Sequence, residues 1–304
     1  MHVLVTGIGQ CSLDSLALID KYPAPDTKTE AYEWIEQGGG PVATALVTLS
    51  RLGVATRFAG VVGDDDAGRT ILQSLLEENV DTTYLVERER TASQHAFIAV
   101  ERGTAARTIF WKRPTGAALK PDEIDDAFFR GSRFLLLDGL MPEVSHSAVE
   151  RAKRLRIPIM VDAGRMREGM LDLCAASDYV VGSEEFAREL GWQGDHEAFF
   201  SRVRELNWNT TTITLGSRGS VTYHGFRMIR TPAFRVDAVD STGAGDVFHG
   251  AFLAGILSEW ELELALFFAS AAAALKCRQL GGRTAIPDFP AVARFMADHG
   301  LPLP

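Results

Sequence analysis

The chain has 304 residues, 46% hydrophobic and 23% charged, with a formal net charge of −9 and a pI near 5.3. This is globular composition with enough apolar residues for a sizeable core, and an acidic chain with scattered Lys and Arg lacks the basic face that a nucleic-acid partner requires. No stretch reaches the roughly 20 apolar residues of a membrane span, and Met1 to Gly9 has no basic start before a long apolar run, so it reads as a buried strand and not as a signal peptide.

The predicted elements alternate between short apolar strands and amphipathic helices, which points to an α/β fold with a mainly parallel sheet. Val3-Leu4-Val5 opens the first strand. Residues 41–52 read as a helix, 56–62 as a strand and 67–78 as a helix. Buried strands are expected at 134–138, 157–162, 179–181 and 211–215, with helices at 144–155, 184–190 and 196–206 between them. The C-terminal third reads as helices at 244–258, 262–277 and 289–298.

Two segments break the rhythm. Residues 31–36 alternate like a strand, and 94–100 with 107–112 form a hairpin-like pair around Arg102-Gly103. They suit a small extra sheet, either a plain decoration or a lid that excludes water during group transfer. The chain is read as one domain, 1–304, with a lid built from about 13–37 and 90–113. Cys11, Cys174 and Cys277 are odd in number and far apart, with no CxxC pair and no zinc-ligand spacing. They read as reduced thiols of a cytoplasmic protein.

Chemistry concentrates in Asp240 to Phe252, DSTGAGDVFHGAF. Gly243, Ala244 and Gly245 open a helix, and small residues there leave backbone N–H groups bare. A helix N-terminus with unpaired N–H groups and partial positive charge can hold phosphate oxygens. Asp246 falls in the first turn beside that anion site. A carboxylate next to a phosphate cradle suits phosphoryl transfer to an alcohol: the carboxylate takes the hydroxyl proton and the amides stabilise charge on the moving group. The bland alternative is an Asp that merely caps the helix. No GxxxxGK[ST] motif is present, and Gly7-Ile8-Gly9-Gln10-Cys11-Ser12 lacks the third glycine of a dinucleotide fingerprint.

GGGPVATALVTLSRLG (38–53) and DSTGAGDVFHGAFLAG (240–255) together resemble the two signatures of the ribokinase-like, or PfkB-type, carbohydrate kinases. The resemblance covers nearly the whole chain. It implies a ribokinase-like doubly wound α/β sheet with a small β lid, and transfer of the γ-phosphate of ATP to a sugar or nucleoside hydroxyl with Mg²⁺. It makes Asp246 the base and Gly243, Ala244 and Gly245 the anion hole. It assigns Asp14 to sugar hydroxyls, Gly39 and Gly40 to close approach of the acceptor, and Thr214, Gly216, Ser217 and Gly219 to the nucleotide side. Asp240 and Thr242 match positions that help a monovalent cation bind, which leaves K⁺ use open.

There are departures from the pattern. Ser183-Glu184-Glu185-Phe186 replaces an N-x-x-E stretch that organises Mg²⁺, leaving Glu184 or Glu185 as substitutes, and Ala43 replaces an Asn that touches the sugar. These departures and the GGGPVATA wording are similar to the branch that includes sulfofructose kinase. Lys28, Lys112 and Arg113 are then cations that could meet an anionic substrate group, and Arg165 in VDAGR a residue near the phosphates. A nucleoside kinase, with Phe97, Phe110 or Trp111 stacking on a base, and a non-catalytic sugar or nucleotide sensor are the competing readings. Phe97, Ile109 and Trp111 also suggest a homodimer through the lid.

Overall fold

The computed structural model describes residues 5–302. In chain order the elements are β1 (Val5–Ile8), β2 (Ser12–Ile19), β3 (Glu33–Gly39), α1 (Pro41–Arg51), β4 (Thr56–Gly63), α2 (Asp66–Glu77), β5 (Val80–Arg88), β6 (His95–Glu101) and β7 (Arg107–Lys112). There follow β8 (Phe134–Leu137), α3 (Pro142–Leu155), β9 (Ile159–Ala163), α4 (Met170–Ala176), β10 (Tyr179–Ser183), α5 (Glu184–Glu189), α6 (His196–Glu205) and β11 (Thr210–Thr214). The chain ends with β12 (Ser220–His224), β13 (Arg227–Thr231), α7 (Ala244–Leu257), α8 (Leu262–Lys276) and α9 (Phe289–Asp298).

Nine strands form one sheet in the order β13-β12-β11-β10-β9-β8-β1-β4-β5. The strands from β11 to β5 are mutually parallel, and β12 and β13 add an antiparallel edge. Continuous apolar runs such as FLLL in β8 are buried on both faces, as a parallel sheet covered on two sides requires. Alternate residues divide between two cores. Phe134, Leu136, Met160 and Val181 pack with α1, α7 and α8, whereas Leu135, Leu137, Val161 and Val180 pack with α3 and α4. This is the doubly wound, ribokinase-like α/β architecture.

Strand order reverses between β1 and β8, and in such sheets the crevice at the carboxyl ends of the strands is where ligands sit. There Asp138, just past β8, accepts a hydrogen bond from the Gln10 N–H at 2.8 Å and one from the Leu140 N–H at 2.9 Å. The bond from Gln10 ties the exit of β1 to the exit of β8 and launches the chain into β2.

The second sheet has the order β3-β2-β6-β7. The expected 94–100/107–112 hairpin is β6 and β7, paired antiparallel. The strand expected at 31–36 runs instead over Glu33–Gly39, because Gly38 and Gly39, poor strand formers by themselves, pair with Leu13 and Ser12. Five elements carried no clear sequence signal. Ser12, Asp14 and Ser15 hide the eight-residue β2, which is buried despite those polar residues. The mostly half-exposed edge strand β5, the short hairpin β12–β13 and the seven-residue α4 are the others. Of the expected first strand, Val3 and Leu4 lie outside the described residues, and Val5 begins β1.

Candidate active site

The DSTGAGD loop delivers α7 to the carboxyl edge of the sheet. Gly243 precedes its first turn with φ of 75°, and a β-carbon there would lie 2.7 Å from the Gly282 carbonyl oxygen, so only glycine fits. No side chain caps the helix. Ala244 N–H is bonded to Ser241 O, while Gly245 and Asp246 N–H have no partner among the described residues. The start of α7 is therefore a bare, positively polarised anion site, and Asp246 stands in the same turn.

Beneath this turn His249 is buried, with Nδ1 2.7 Å from Gly245 O, Nε2 3.1 Å from Val181 O and Nε2 3.5 Å from Asp162 Oδ1. Both ring nitrogens face carbonyl oxygens, so both must carry protons to be satisfied. Burial alone would lower the His249 pKa, but Asp162, the two carbonyls and Asp246 outweigh it and raise it. Asp246 is pushed up to about 7, first by burial and then by the Asp162 charge, against the pull of His249 and Arg107. A base that titrates near the working pH is well matched to accept a hydroxyl proton. Protonation removes the base, so kcat/KM for ATP should fall about tenfold per pH unit below pH ~7 and stay level above it, the free-enzyme profile reporting this group. A profile level down to pH 5 would contradict this.

Asp14, in β2, is buried with Oδ1 accepting from Ser12 Oγ at 2.6 Å, near enough to Asp246 for its charge to help raise that group's pKa. Burial raises its pKa, while the Ser12 bond, Arg283 and His95 pull against that rise. Gly39, in β3, lies against it: a β-carbon there would be 2.0 Å from Asp14 Oδ2. Gly40 follows and opens α1. Arg283 is buried beside Gly39, donating to Gly39 O at 3.0 Å, Thr44 Oγ1 at 3.2 Å and Ser74 Oγ at 3.2 Å. Lys28 stands apart, exposed in the connection between β2 and β3.

Strand register decides which residues of the small sheet share a face with Asp14. By pairing these include Leu16, Ile35, Ala96, Ile98, Ile109 and Trp111, of which Leu16, Ile35, Ala96 and Ile98 pack with Leu280 and Val239 on this inner face. Phe97 and Phe110 point the other way, in an outer stack where the Phe97 ring centroid lies 5.4 Å from that of Trp34 and 6.2 Å from that of Phe110. Phe97 and Phe110 therefore cannot stack on a base in the site, and Ile109 and Trp111 do not share a face with Phe97. Arg107, at the start of β7, donates to Ser241 Oγ at 2.7 Å, and Ser241 Oγ donates to Ala105 O at 3.2 Å, so the hairpin tip touches the motif loop.

A cleft of about 1070 Å³ runs from the start of α7 to the β11–β12 connection, lined by Ala244, Gly245, Thr214, Gly216, Ser217 and Gly219 among others. Ala244 and Gly245 of the predicted anion site therefore line one cavity with the predicted nucleotide-side residues.

Two expected cation positions are differently engaged. Both oxygens of Glu184 are bonded, one to Arg188 and one to Arg218, and Glu185 pairs with Arg165 at 2.5 Å. Ser183 caps α5, its Oγ accepting from Phe186 N–H at 3.0 Å, and Phe186 is core. The SEEF stretch is thus a structural helix start. Asp240 is buried, its Oδ1 accepting from Thr242 N–H and its Oδ2 from Gly281 N–H, each at 2.8 Å. The Lys276 ammonium lies against it, donating to Asp240 O at 2.8 Å. Asp240 is accordingly engaged on both carboxylate oxygens and faces an ammonium, whereas the buried Thr242 Oγ1 has no hydrogen-bond partner among the described residues. Among the described residues no group of three or more His, Cys, Asp or Glu could hold a metal ion.

Arg107, Asp162, His249, Lys276 and Arg283 escaped the sequence reading. Two carried a signal: His249 and Lys276 are polar residues in largely apolar helices.

The sequence model described as "pfkB family carbohydrate kinase" matches residues 4–288. The chain is 28% identical over 303 residues to the ATP-dependent ribose-1-phosphate kinase of Halopiger xanaduensis, covering 98% of this chain and 99% of that one. It is 28% identical to the ribokinase of Bacillus subtilis, covering 92% and 94%. The ribokinase structure from Thermotoga maritima superposes with a TM-score of 0.81 at 25% identity, covering 97% and 99%.

Proposed function

The chain belongs to the pfkB family of carbohydrate kinases, and on that footing we propose that it moves the γ-phosphate of ATP onto a hydroxyl of a sugar or sugar derivative. The observation that carries this reading is Asp246 in the same helical turn as the bare N–H groups of Gly245 and Asp246, with its pKa raised toward neutrality. Asp246 takes the proton of the acceptor hydroxyl as that oxygen bonds to the γ-phosphorus. The bond from phosphorus to the β–γ bridging oxygen breaks, leaving ADP, and the backbone at 243–245 holds the phosphoryl oxygens.

Asp14, with Gly39 and Gly40 beside it, binds acceptor hydroxyls. Thr214, Gly216, Ser217 and Gly219 flank the nucleotide. Mg²⁺ would arrive on the phosphates of ATP, since Glu184 and Glu185 are both occupied by arginines. The small sheet acts as a lid, supported by the contact of Arg107 with Ser241. The acceptor is a furanose or ketose that already bears an anionic group. Its support is the GGGPVATA wording and the phosphorylated sugar in the name of the Halopiger relative. ADP release over a panel of phosphorylated, sulfonated and neutral sugars and nucleosides tests this. Turnover is expected with an anionic sugar, and turnover with nucleosides alone would overturn the acceptor assignment.

The outer stack of Trp34, Phe97 and Phe110 supports a homodimer through the lid, since Trp34 and Phe110 are each more than half exposed on a sheet face that points away from the site. Light scattering should give a dimer at micromolar concentration and a monomer for the double variant Trp34→Glu, Phe110→Glu. A monomeric parent protein would refute the interface. Among the described residues no helix is long and apolar enough to cross a membrane. The free thiols Cys11, Cys174 and Cys277 support a cytoplasmic setting.

A further inference from the structure

Lys276 is 0% exposed, at the last position of α8, a helix made mostly of Leu, Phe and Ala. Its Nζ donates to the Asp240 carbonyl at 2.8 Å and lies 4.0 Å from Asp240 Oδ2. Asp240 is also 0% exposed and opens the loop whose end, 243–245, forms the anion hole. The same carboxylate holds Thr242 N–H and Gly281 N–H, and Val239 and Asp240 N–H both bond to Cys277 O. Lys276 thus joins the end of α8 to the start of the phosphate-holding loop, with one buried positive charge against one buried carboxylate.

These are the two positions, Asp240 and Thr242, that the family resemblance assigns to a monovalent cation. A second positive ion placed there would meet the ammonium in a region screened from water, where like charges repel strongly. It would also compete for a carboxylate whose oxygens already accept two backbone N–H groups. The charge that a bound K⁺ would supply is already present in covalent form.

We propose that the Lys276 ammonium replaces a monovalent cation in ordering the loop 240–245, so that phosphoryl transfer by this chain needs no K⁺. Lys276 is a positioning residue: it touches neither substrate nor transferred group and acts through the backbone of Asp240. Other charges facing this pocket are Arg107, held on Ser241, and Asp246. The proposal rests on the kinase reading, and its test includes a readout that does not depend on turnover.

The test compares the full-length protein in KCl with the same protein in choline chloride at equal ionic strength. Turnover is expected to agree within about twofold, and the melting temperature should be unchanged. A tenfold or greater gain in turnover specific to K⁺, or a melting temperature raised by KCl and not by choline chloride, overturns the proposal. Because melting is read without substrate, a protein that turned over no sugar would defeat the kinase reading and still leave the cation test decided.

The complementary variant is Lys276→Ala, with Lys276→Met as the better-packed alternative should the first fail to fold. Turnover is expected to fall at least tenfold and to recover in part on adding KCl or methylammonium chloride. A lysine that is merely structural would give a less stable protein with no acquired cation response, and that result too overturns the proposal.

Discussion

Replacing Asp246 by Asn is expected to lower turnover by about 10²–10⁴-fold, the range that a positioned general base supplies, while the affinity for ATP stays close to that of the parent. Asn keeps the size of the side chain and its place in the first turn of α7, but it cannot take a proton from the acceptor hydroxyl. The bare N–H groups at the start of α7 are backbone and the cleft beside them is lined by other residues, so neither is disturbed. Asn also removes a half-buried carboxylate whose charge is opposed by desolvation and by Asp162, so the fold is not expected to suffer. Single-turnover kinetics with calorimetric ATP binding on the same preparation check this. Near-normal turnover would mean that Asp246 only terminates a helix, and equal losses of turnover and ATP affinity would place it in nucleotide binding.

The next largest effect is expected on the acceptor side. Asp14→Asn should reduce kcat/KM for the sugar by about 10- to 100-fold, because a hydrogen bond to a charged group contributes about 1.5–3 kcal/mol. The KM for ATP should be unchanged. Asn can still accept from Ser12 Oγ but meets sugar hydroxyls as a weaker, neutral acceptor. Arg283 loses part of the negative charge that opposes its burial, which already lowers its pKa to about 10, so near-native circular dichroism is the control. An unaltered sugar kcat/KM would remove Asp14 from the acceptor site.

The features that were legible in the sequence share a physical character. The buried parallel strands announce themselves because burial on both faces forces apolar runs such as FLLL. The site motif is legible because glycine at 243 and a bare helix start are demands that few other sequences satisfy. Strand β2 was hidden because the buried polar residues Ser12, Asp14 and Ser15 interrupt its apolar pattern. Register could not be foreseen from Phe97, Phe110 and Trp111 alone, since one step along β7 moves a side chain from the site to the outer face. His249, Lys276 and Arg283 were obscured for another reason. Each is paired through contacts distant in sequence, with Val181, Asp240 and Gly39 respectively, and only the fold brings those partners together.

The SEEF stretch illustrates how one departure can be absorbed structurally. Phe186 fills the core and Ser183 caps α5, so the segment keeps its place in the fold while its two glutamates turn to arginines. Where the family's pattern places a metal-organising carboxylate, this chain places packing.

The kinase reading is tested most directly by locating the phosphoryl group after turnover. ³¹P and ¹H NMR of a reaction containing ATP, Mg²⁺ and an anionic sugar should show stoichiometric ADP and a new phosphate ester on a sugar hydroxyl, absent when Asp246→Asn replaces the parent protein. Tight sugar binding with neither ADP nor ester formed, across the whole panel of acceptors, would contradict phosphoryl transfer and leave a sugar-binding protein on a kinase scaffold.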